Sequence, residues 1–420
     1  MIETRELFPG ITLRCVEDPR FKQSFLSVQL LRPMDREEAA LNALLPAVLL
    51  RGSRLHPDIR SITRHLDTLY GSAVGAQVRR IGDYQTTGLS TAFMDDRFAQ
   101  PVDRVMEPMV DFLRELMLDP LLEDGVFCRE FVETEKKNLI AAIESAKHDT
   151  QVYANSQLLK TMCREDSFGI PRLGEAEQVA AITPERLYAH WQKVLRVSPV
   201  SLFYVGRANM DQTAELVKPM FAGLNRQVEA LGPQTGFHAC PAQDRVEVMD
   251  VTQGKLCMGL MSDITNRHEG FAAMQMLNTI LGAGMTSKLF LNVREKQSLC
   301  YTIGSSYYST KGIVLIYAGI DFDKEEQTRR EILRQLQACR DGQITDQEME
   351  AARQALYSSL RAISDSPGAI EGYYSTAALS GLAMTPEAYM EAVGAVTREQ
   401  VRQAAESLQL HTTYFLKGES

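Results

Sequence analysis

The chain repeats itself. The segments Thr183 to Gly206 and Thr397 to Gly418 share one pattern: a threonine, a glutamate two residues on, an amphipathic run, then an apolar strand closed by glycine. A threonine hydroxyl accepts from the open N–H groups of a helix's first turn, and an early carboxylate suits the positive end of the helix dipole. Each segment therefore reads as a capped helix feeding a buried strand. They start 214 residues apart and end 212 apart, half of the 420-residue chain. Such an offset marks a duplicated domain. Between the copies, Ala222 to Pro241 gathers glycine and proline and loses apolar periodicity, as a linker does. The expected organisation is one half over 1–221, a linker over 222–242 and a second half over 243–420. A chain this long exceeds what one core can bury.

Within each half, strands and helices are expected in matching series. Phe25 to Leu31 alternates as a strand, and Ser72 to Arg80 with Tyr84 to Phe93 reads as a pair turning at Ile81-Gly82-Asp83. Apolar residues recur at three and four over Val102 to Met117 and Phe127 to Ala146, the period of helices. In the second half, strands are expected at Val246 to Val251, Lys255 to Met261, Tyr301 to Tyr308 and Ile313 to Ile320. Helices are expected at Glu269 to Leu281, Glu325 to Cys339 and Asp346 to Ile363. This order predicts an α+β class, two α/β-sandwich halves with a mixed or antiparallel sheet packed by helices.

Several functions are excluded by what is missing. A net charge of −9 with no long Lys/Arg block argues against nucleic acid as a partner. No run of 18 apolar residues occurs and Met1 to Phe8 lacks a signal-peptide core, so a cytoplasmic protein without a membrane partner is expected. Cys15, Cys128, Cys163, Cys240, Cys257, Cys300 and Cys339 are odd in number, scattered and without a C-x-x-C pair. They read as small buried hydrophobes of a reducing compartment. His56, His65, His148, His190, His238, His268 and His411 include no i,i+4 pair and no neighbouring ligand in sequence beyond His148-Asp149 and His65 with Asp67.

Two stretches carry the chemistry. Gly282-Ala-Gly-Met-Thr-Ser-Lys-Leu-Phe-Leu-Asn-Val-Arg-Glu-Lys-Gln-Ser-Leu-Cys-Tyr301 resembles the substrate-holding segment of the insulinase/pitrilysin zinc peptidases, in their two-subunit processing-peptidase branch, where it runs G-G-G-x-S-S-x-L-F-x-x-x-R-E-x-x-G-L-x-Y. Met285 to Val293 reads as its helix. Ala283 and Ser298 replace glycines of that pattern. The second stretch, Ala43-Leu-Leu-Pro-Ala-Val-Leu-Leu-Arg-Gly-Ser53, occupies the place of H-x-x-E-H-x-x-x-x-G-[TS]. Counting back from Gly52 puts Ala43 and Ala47 at the histidine positions and Pro46 at the glutamate. A third family ligand, a glutamate seven residues after another, falls on Ala142 when Glu135 is taken as the leading residue. Glu144 is either a displaced substitute or an exposed helical glutamate. Pro46 removes an N–H and crowds the Asn42 carbonyl, so a kink or a fresh helix turn is expected in Leu41 to Leu50.

The resemblance implies a clamshell of two homologous halves and a subunit whose zinc site is lost. Zinc hydrolysis needs about three protein ligands and a base, which alanine and proline cannot provide. No cofactor is then expected in this chain; the zinc would lie in a sister subunit. The resemblance assigns Arg294 to a peptide carbonyl and Tyr301 to the developing oxyanion, with Gly282 and Gly284 shaping the loop before them. Arg offers a fixed fork of donors and Tyr one at the end of a rigid ring. The implied function is a non-catalytic, substrate-binding subunit of a heterodimeric peptidase, inactive alone, with a homodimer possible in isolation. An autonomous zinc endopeptidase with unconventional ligands and a structural scaffold of the same fold remain alternatives.

Overall fold

A computed structural model describes residues 2–419. The first half runs β1 (Ile2–Phe8), β2 (Ile11–Glu17), β3 (Gln23–Pro33), α1 (Ala39–Leu49), α2 (Ile59–Thr68), β4 (Ala73–Ile81) and β5 (Tyr84–Met94). It continues with α3 (Met106–Leu118), the short pair β6 (Leu122–Glu123) and β7 (Val126–Phe127), α4 (Arg129–Ser145) and α5 (Thr150–Met162). Then come α6 (Ala176–Ala180), α7 (Pro184–Val197), β8 (Val200–Gly206) and α8 (Met210–Val217). After a segment without regular structure follow β9 (Gln243–Val248), β10 (Gly254–Met261), α9 (Phe271–Leu281), a π-helix (Leu289–Lys296), β11 (Thr302–Tyr308) and β12 (Ile313–Ile320). The chain closes with α10 (Glu325–Arg340), α11 (Asp346–Ala362), α12 (Pro367–Ser380), α13 (Pro386–Ala395), α14 (Arg398–Ser407) and β13 (Gln409–Lys417).

The duplication is plain in the sheets. One has the order β1-β2-β8-β3-β5-β4 and the other β9-β13-β10-β12-β11. In both, the strand that closes a half pairs parallel on one side, β8 with β2 and β13 with β9, and antiparallel on the other, β8 with β3 and β13 with β10. Thr183 and Thr397 cap the helices that precede β8 and β13, each accepting from a backbone N–H three residues on. The hairpin β4–β5 turns through two residues, and Gly82 at the first of them takes φ 58°, as a type II′ turn requires.

Compact units do not follow the contiguous boundaries 1–221 and 243–420. Unit 1 gathers residues 2–144, Pro171–Pro233 and Ser364–Thr376; unit 2 gathers Ser145–Ile170, Gln234–Ile363 and residues 377–419. The reason lies in sheet faces. In unit 1, β strands alternate so that Leu202 and Tyr204 join the large core with α1, α3 and α7, while Phe203, Val205 and Val16 face the other way and pack on Ile370 of α12. In unit 2, Cys257, Leu315, Tyr414 and Leu416 pack on Leu158 and Met162 of α5. Each sheet thus covers one face with a helix drawn from the other sequence half. A fully buried leucine such as Leu158 is worth about 1.5–3 kcal/mol in transfer terms, so neither sheet can leave that face open without cost. All seven cysteines are buried. No helix among the described residues is long and apolar enough to cross a membrane.

Candidate functional site

In unit 1, α1 carries the altered metal positions. Ala43 and Pro46 are buried, Ala47 is half-buried, and Ala142 on α4 is exposed. No fresh helix turn starts at Pro46: α1 is one helix from Ala39 to Leu49 with the proline inside it. The physical reason is a donor from a distant part of the chain. The carbonyl of Asn42, which loses its helical donor to the proline ring, accepts instead from Thr87 Oγ1 at 2.6 Å. A hydroxyl from the neighbouring strand replaces the missing N–H, so no buried acceptor is left bare.

The same residue anchors a buried polar network. Gln85 Nε2 donates to the carbonyls of Ala39 (3.1 Å) and Arg172 (2.7 Å), which leaves Gln85 Oε1 to accept from Asn42 Nδ2 at 2.9 Å. Asn42 Oδ1 then faces His190 Nε2 at 2.7 Å, so this ring nitrogen carries the proton. Burial lowers His190 to about 4, and the ring is neutral in the folded chain. His190 thus packs the helix where sequence alone offers no partner for it.

The tail of the altered motif survives for structural reasons. A Cβ on Gly52 would lie 2.7 Å from the Pro57 carbonyl oxygen, and Ser53 Oγ accepts from the His56 N–H at 2.9 Å while donating to Glu115. His56 Nδ1 lies 2.8 Å from the same Glu115 carboxylate, and its ring stands 4.5 Å from that of His65. These two histidines, nine apart in sequence, do have partners: the turn folds them onto Glu115 and Phe112. Glu135, the leading glutamate of the altered ligand pair, is taken by Arg51 Nε. Glu144 is exposed in the last turn of α4. Among the described residues no group of three His, Cys, Asp or Glu could hold a metal ion, and the side chains at Ala43, Pro46, Ala47 and Ala142 do not fit zinc.

In unit 2 the second motif is built around a loop that only glycine permits. Gly284 takes φ 136°, and a Cβ on Gly282 would meet Ser305 Oγ at 2.5 Å. The helix expected over Met285 to Val293 begins later, as a π-helix over Leu289–Lys296, because Gly284 to Ser287 is used in turning: Ser287 Oγ donates to the Gly284 carbonyl at 2.7 Å. At the far end Ser298 takes φ 51°, a left-handed conformation that explains why the family pattern has glycine there. The turn delivers Tyr301 to the head of β11, and Arg294 Nε donates to the Tyr301 carbonyl at 2.9 Å. The Arg294 guanidinium also lies over the Phe290 ring at 4.6 Å and pairs with Glu295 at 3.1 Å.

Tyr301 is 57% exposed and the Arg294 side chain 39%. The Tyr301 hydroxyl donates to Asp321 Oδ1 at 2.9 Å, and Asp321 pairs with Lys324 at 2.8 Å. The Asp321 carboxylate raises the phenol above its ordinary value, so Tyr301 remains a hydrogen-bond donor.

Comparison with known proteins bears on the fold and the family. Residues 181–356 match the family model described as "Peptidase M16 inactive domain". The chain is 30% identical over 417 residues to "Probable inactive metalloprotease YmfF" of Bacillus subtilis, covering 99% of this chain and 98% of that protein. It is 24% identical over 320 residues to "Uncharacterized zinc protease SCO5738" of Streptomyces coelicolor, covering 73% of this chain and 68% of that protein. A solved structure of a conserved protein from Enterococcus faecalis V583 superposes with a TM-score of 0.92 at 28% identity, covering 100% of this chain and 99% of the other. The duplicated α+β fold is that of a peptidase-like protein. The chain belongs to the M16, or insulinase/pitrilysin, peptidase family.

Proposed function

We propose that this chain is the non-catalytic, substrate-binding subunit of a two-subunit M16 peptidase whose zinc-bearing sister supplies the metal ligands and the base. The observation that carries the reading is the joined, exposed pair Arg294 and Tyr301, kept beside a first half whose ligand positions are alanine and proline. Arg294 would hold a carbonyl of the bound peptide through its guanidinium edge. Tyr301 would turn its hydroxyl from Asp321 to the oxygen that gains negative charge. β11, which starts at the next residue, is an edge strand with β12 on one side only, and an extended peptide can add to such an edge. The setting proposed is the cytoplasm.

The test mixes this chain with a zinc-bearing M16 sister, confirms the heterodimer by size, and measures peptide cleavage with wild type, Arg294→Ala and Tyr301→Phe. Loss of one oxyanion donor costs on the order of 100-fold in turnover, and that loss with assembly intact is the expected result. Unchanged turnover in both variants would reduce the chain to a scaffold. Cleavage by the chain alone, with about one zinc per chain, would favour an autonomous peptidase.

A further inference from the structure

The two sheets differ at one edge. In unit 1 the strand next to β8, β2, has its outer side covered by β1, which pairs antiparallel from Ile2 to Phe8. In unit 2 the equivalent strand, β9, pairs parallel with β13 and ends the sheet. No described strand plays the part of β1. The difference shows in exposure: Val246 is 56% and Val248 53% exposed, whereas β2 is mostly buried. An uncovered edge with apolar side chains on one face is a template for another strand.

The sequence of β9, Gln243-Asp-Arg-Val-Glu-Val248, points to a specific occupant. When two copies of one strand pair antiparallel about a twofold axis, residues directly opposite must share a face, so the axis falls on one residue meeting its own copy. An axis at Asp244, Arg245 or Glu247 sets like charges opposite each other, which destabilises a sheet pair. An axis at Gln243 or Val248 leaves Arg245 and Glu247 facing no opposite charge. With the axis at Val246, the valines meet, Arg245 faces Glu247 of the second copy, and the reverse pair forms at the same time. The charges that protect the edge against other strands are self-complementary in this register alone.

We propose that β9 is a homodimer interface, two copies of this chain joining antiparallel through their β9 edges about Val246. This holds whether or not the chain also serves a sister subunit. One strand per copy is a small contact against the roughly 1,600 Å² of a standard interface, so the dimer is weak and reversible.

The experiment is sedimentation velocity on the full chain from about 1 to about 500 μM, the range a small interface requires. Wild type should pass from monomer to dimer within it. Val246→Lys, at an exposed position, sets two ammonium groups together on the axis and should weaken association about tenfold or more with thermal unfolding unchanged. Arg245→Glu and Glu247→Lys should each weaken self-association similarly. Mixed together they should dimerise again, because the carboxylate at 245 of one meets the ammonium at 247 of the other, and Glu247 of the first meets Arg245 of the second. Glu247 also accepts from Tyr153 Oη at 2.7 Å and pairs with Arg245 of its own strand at 3.2 Å, so Val246→Lys provides the control that leaves both contacts in place. A wild type monomeric throughout, or one whose association survives Val246→Lys, overturns the proposal. So does a mixture that stays monomeric while each variant remains folded.

Discussion

Arg294 and Tyr301, seven residues apart, are joined by one hydrogen bond from the Arg294 Nε–H to the Tyr301 carbonyl at 2.9 Å. The guanidinium is thereby tied at Nε, while Nη1 pairs with Glu295 at 3.1 Å and the side chain stays 39% exposed. This division of labour depends on the planar fork of arginine. Lysine, with a single rotating ammonium, cannot hold Tyr301 and a peptide carbonyl together in one plane. In the sister-dependent assay we expect Arg294→Lys to lose nearly as much turnover as Arg294→Ala. Retention of more than about half of the wild-type rate by the lysine variant would show that charge alone suffices.

Thr87 carries the helix over Pro46. Thr87→Val removes the donor to the buried Asn42 carbonyl, and we expect a loss of about 1–3 kcal/mol in urea unfolding. In a Pro46→Ala background the helix regains its own N–H at that carbonyl, and the cost of Thr87→Val should shrink by about half or more. Equal costs in the two backgrounds would mean the hydroxyl does not replace the missing amide.

The neutral state of His190 sets a pH dependence. Its proton affinity falls from an ordinary 6.5 to about 4 on folding because burial opposes the charged ring. The unfolded chain therefore binds more protons than the folded one across this interval. The stability so linked is fully present above about 6.5 and is lost as pH falls toward 4, on the order of 3 kcal/mol. His190→Gln keeps a donor toward Asn42 and cannot ionise, so its unfolding free energy should change less between pH 7 and 4. Glu38 acts in a lower window. Burial pushes its carboxyl up, but Arg32 and Lys193 outweigh this and hold it at about 2, so its contribution fades only as pH falls below 4.5.

Rebuilding the metal motif should fail in an informative way. The triple variant Ala43→His, Pro46→Glu, Ala47→His restores the sequence pattern, yet Ala43 is only 6% exposed within the core of unit 1. An imidazole there overpacks the site, at about 1–3 kcal/mol, and Ala142 still offers no third ligand. We expect a lowered melting temperature and far less than one zinc per chain by metal analysis. Stoichiometric zinc with wild-type stability would show that α1 keeps room for two imidazoles and a carboxylate.

Much of the fold was readable because period and capping are local. The hairpin at Gly82, the repeat ends at Thr183 and Thr397, and the strand Ile313 to Ile320 all follow from residues within a few positions of one another. The candidate site was readable in its residues but not in its geometry. No spacing rule reveals that Ser298 is left-handed or that the helix before Arg294 winds as a π-helix from Leu289. Long-range compensation was invisible for the same reason. Pro46 gives no hint that a threonine 41 positions later satisfies Asn42, and His190 stands 148 positions from the amide it supports. Nor does periodicity tell which sheet an amphipathic helix will cover, which is why α5 and α12 fall outside the contiguous halves.

The exchange of α5 and α12 gives the chain the logic of a knot tied from two ropes. Cutting the irregular segment between α8 and β9 frees no independent half, since each fragment carries off a helix that completes the other's sheet. Each fragment would then leave one sheet face without the helix that covers it, so the two sequence halves are not the units in which this fold is closed.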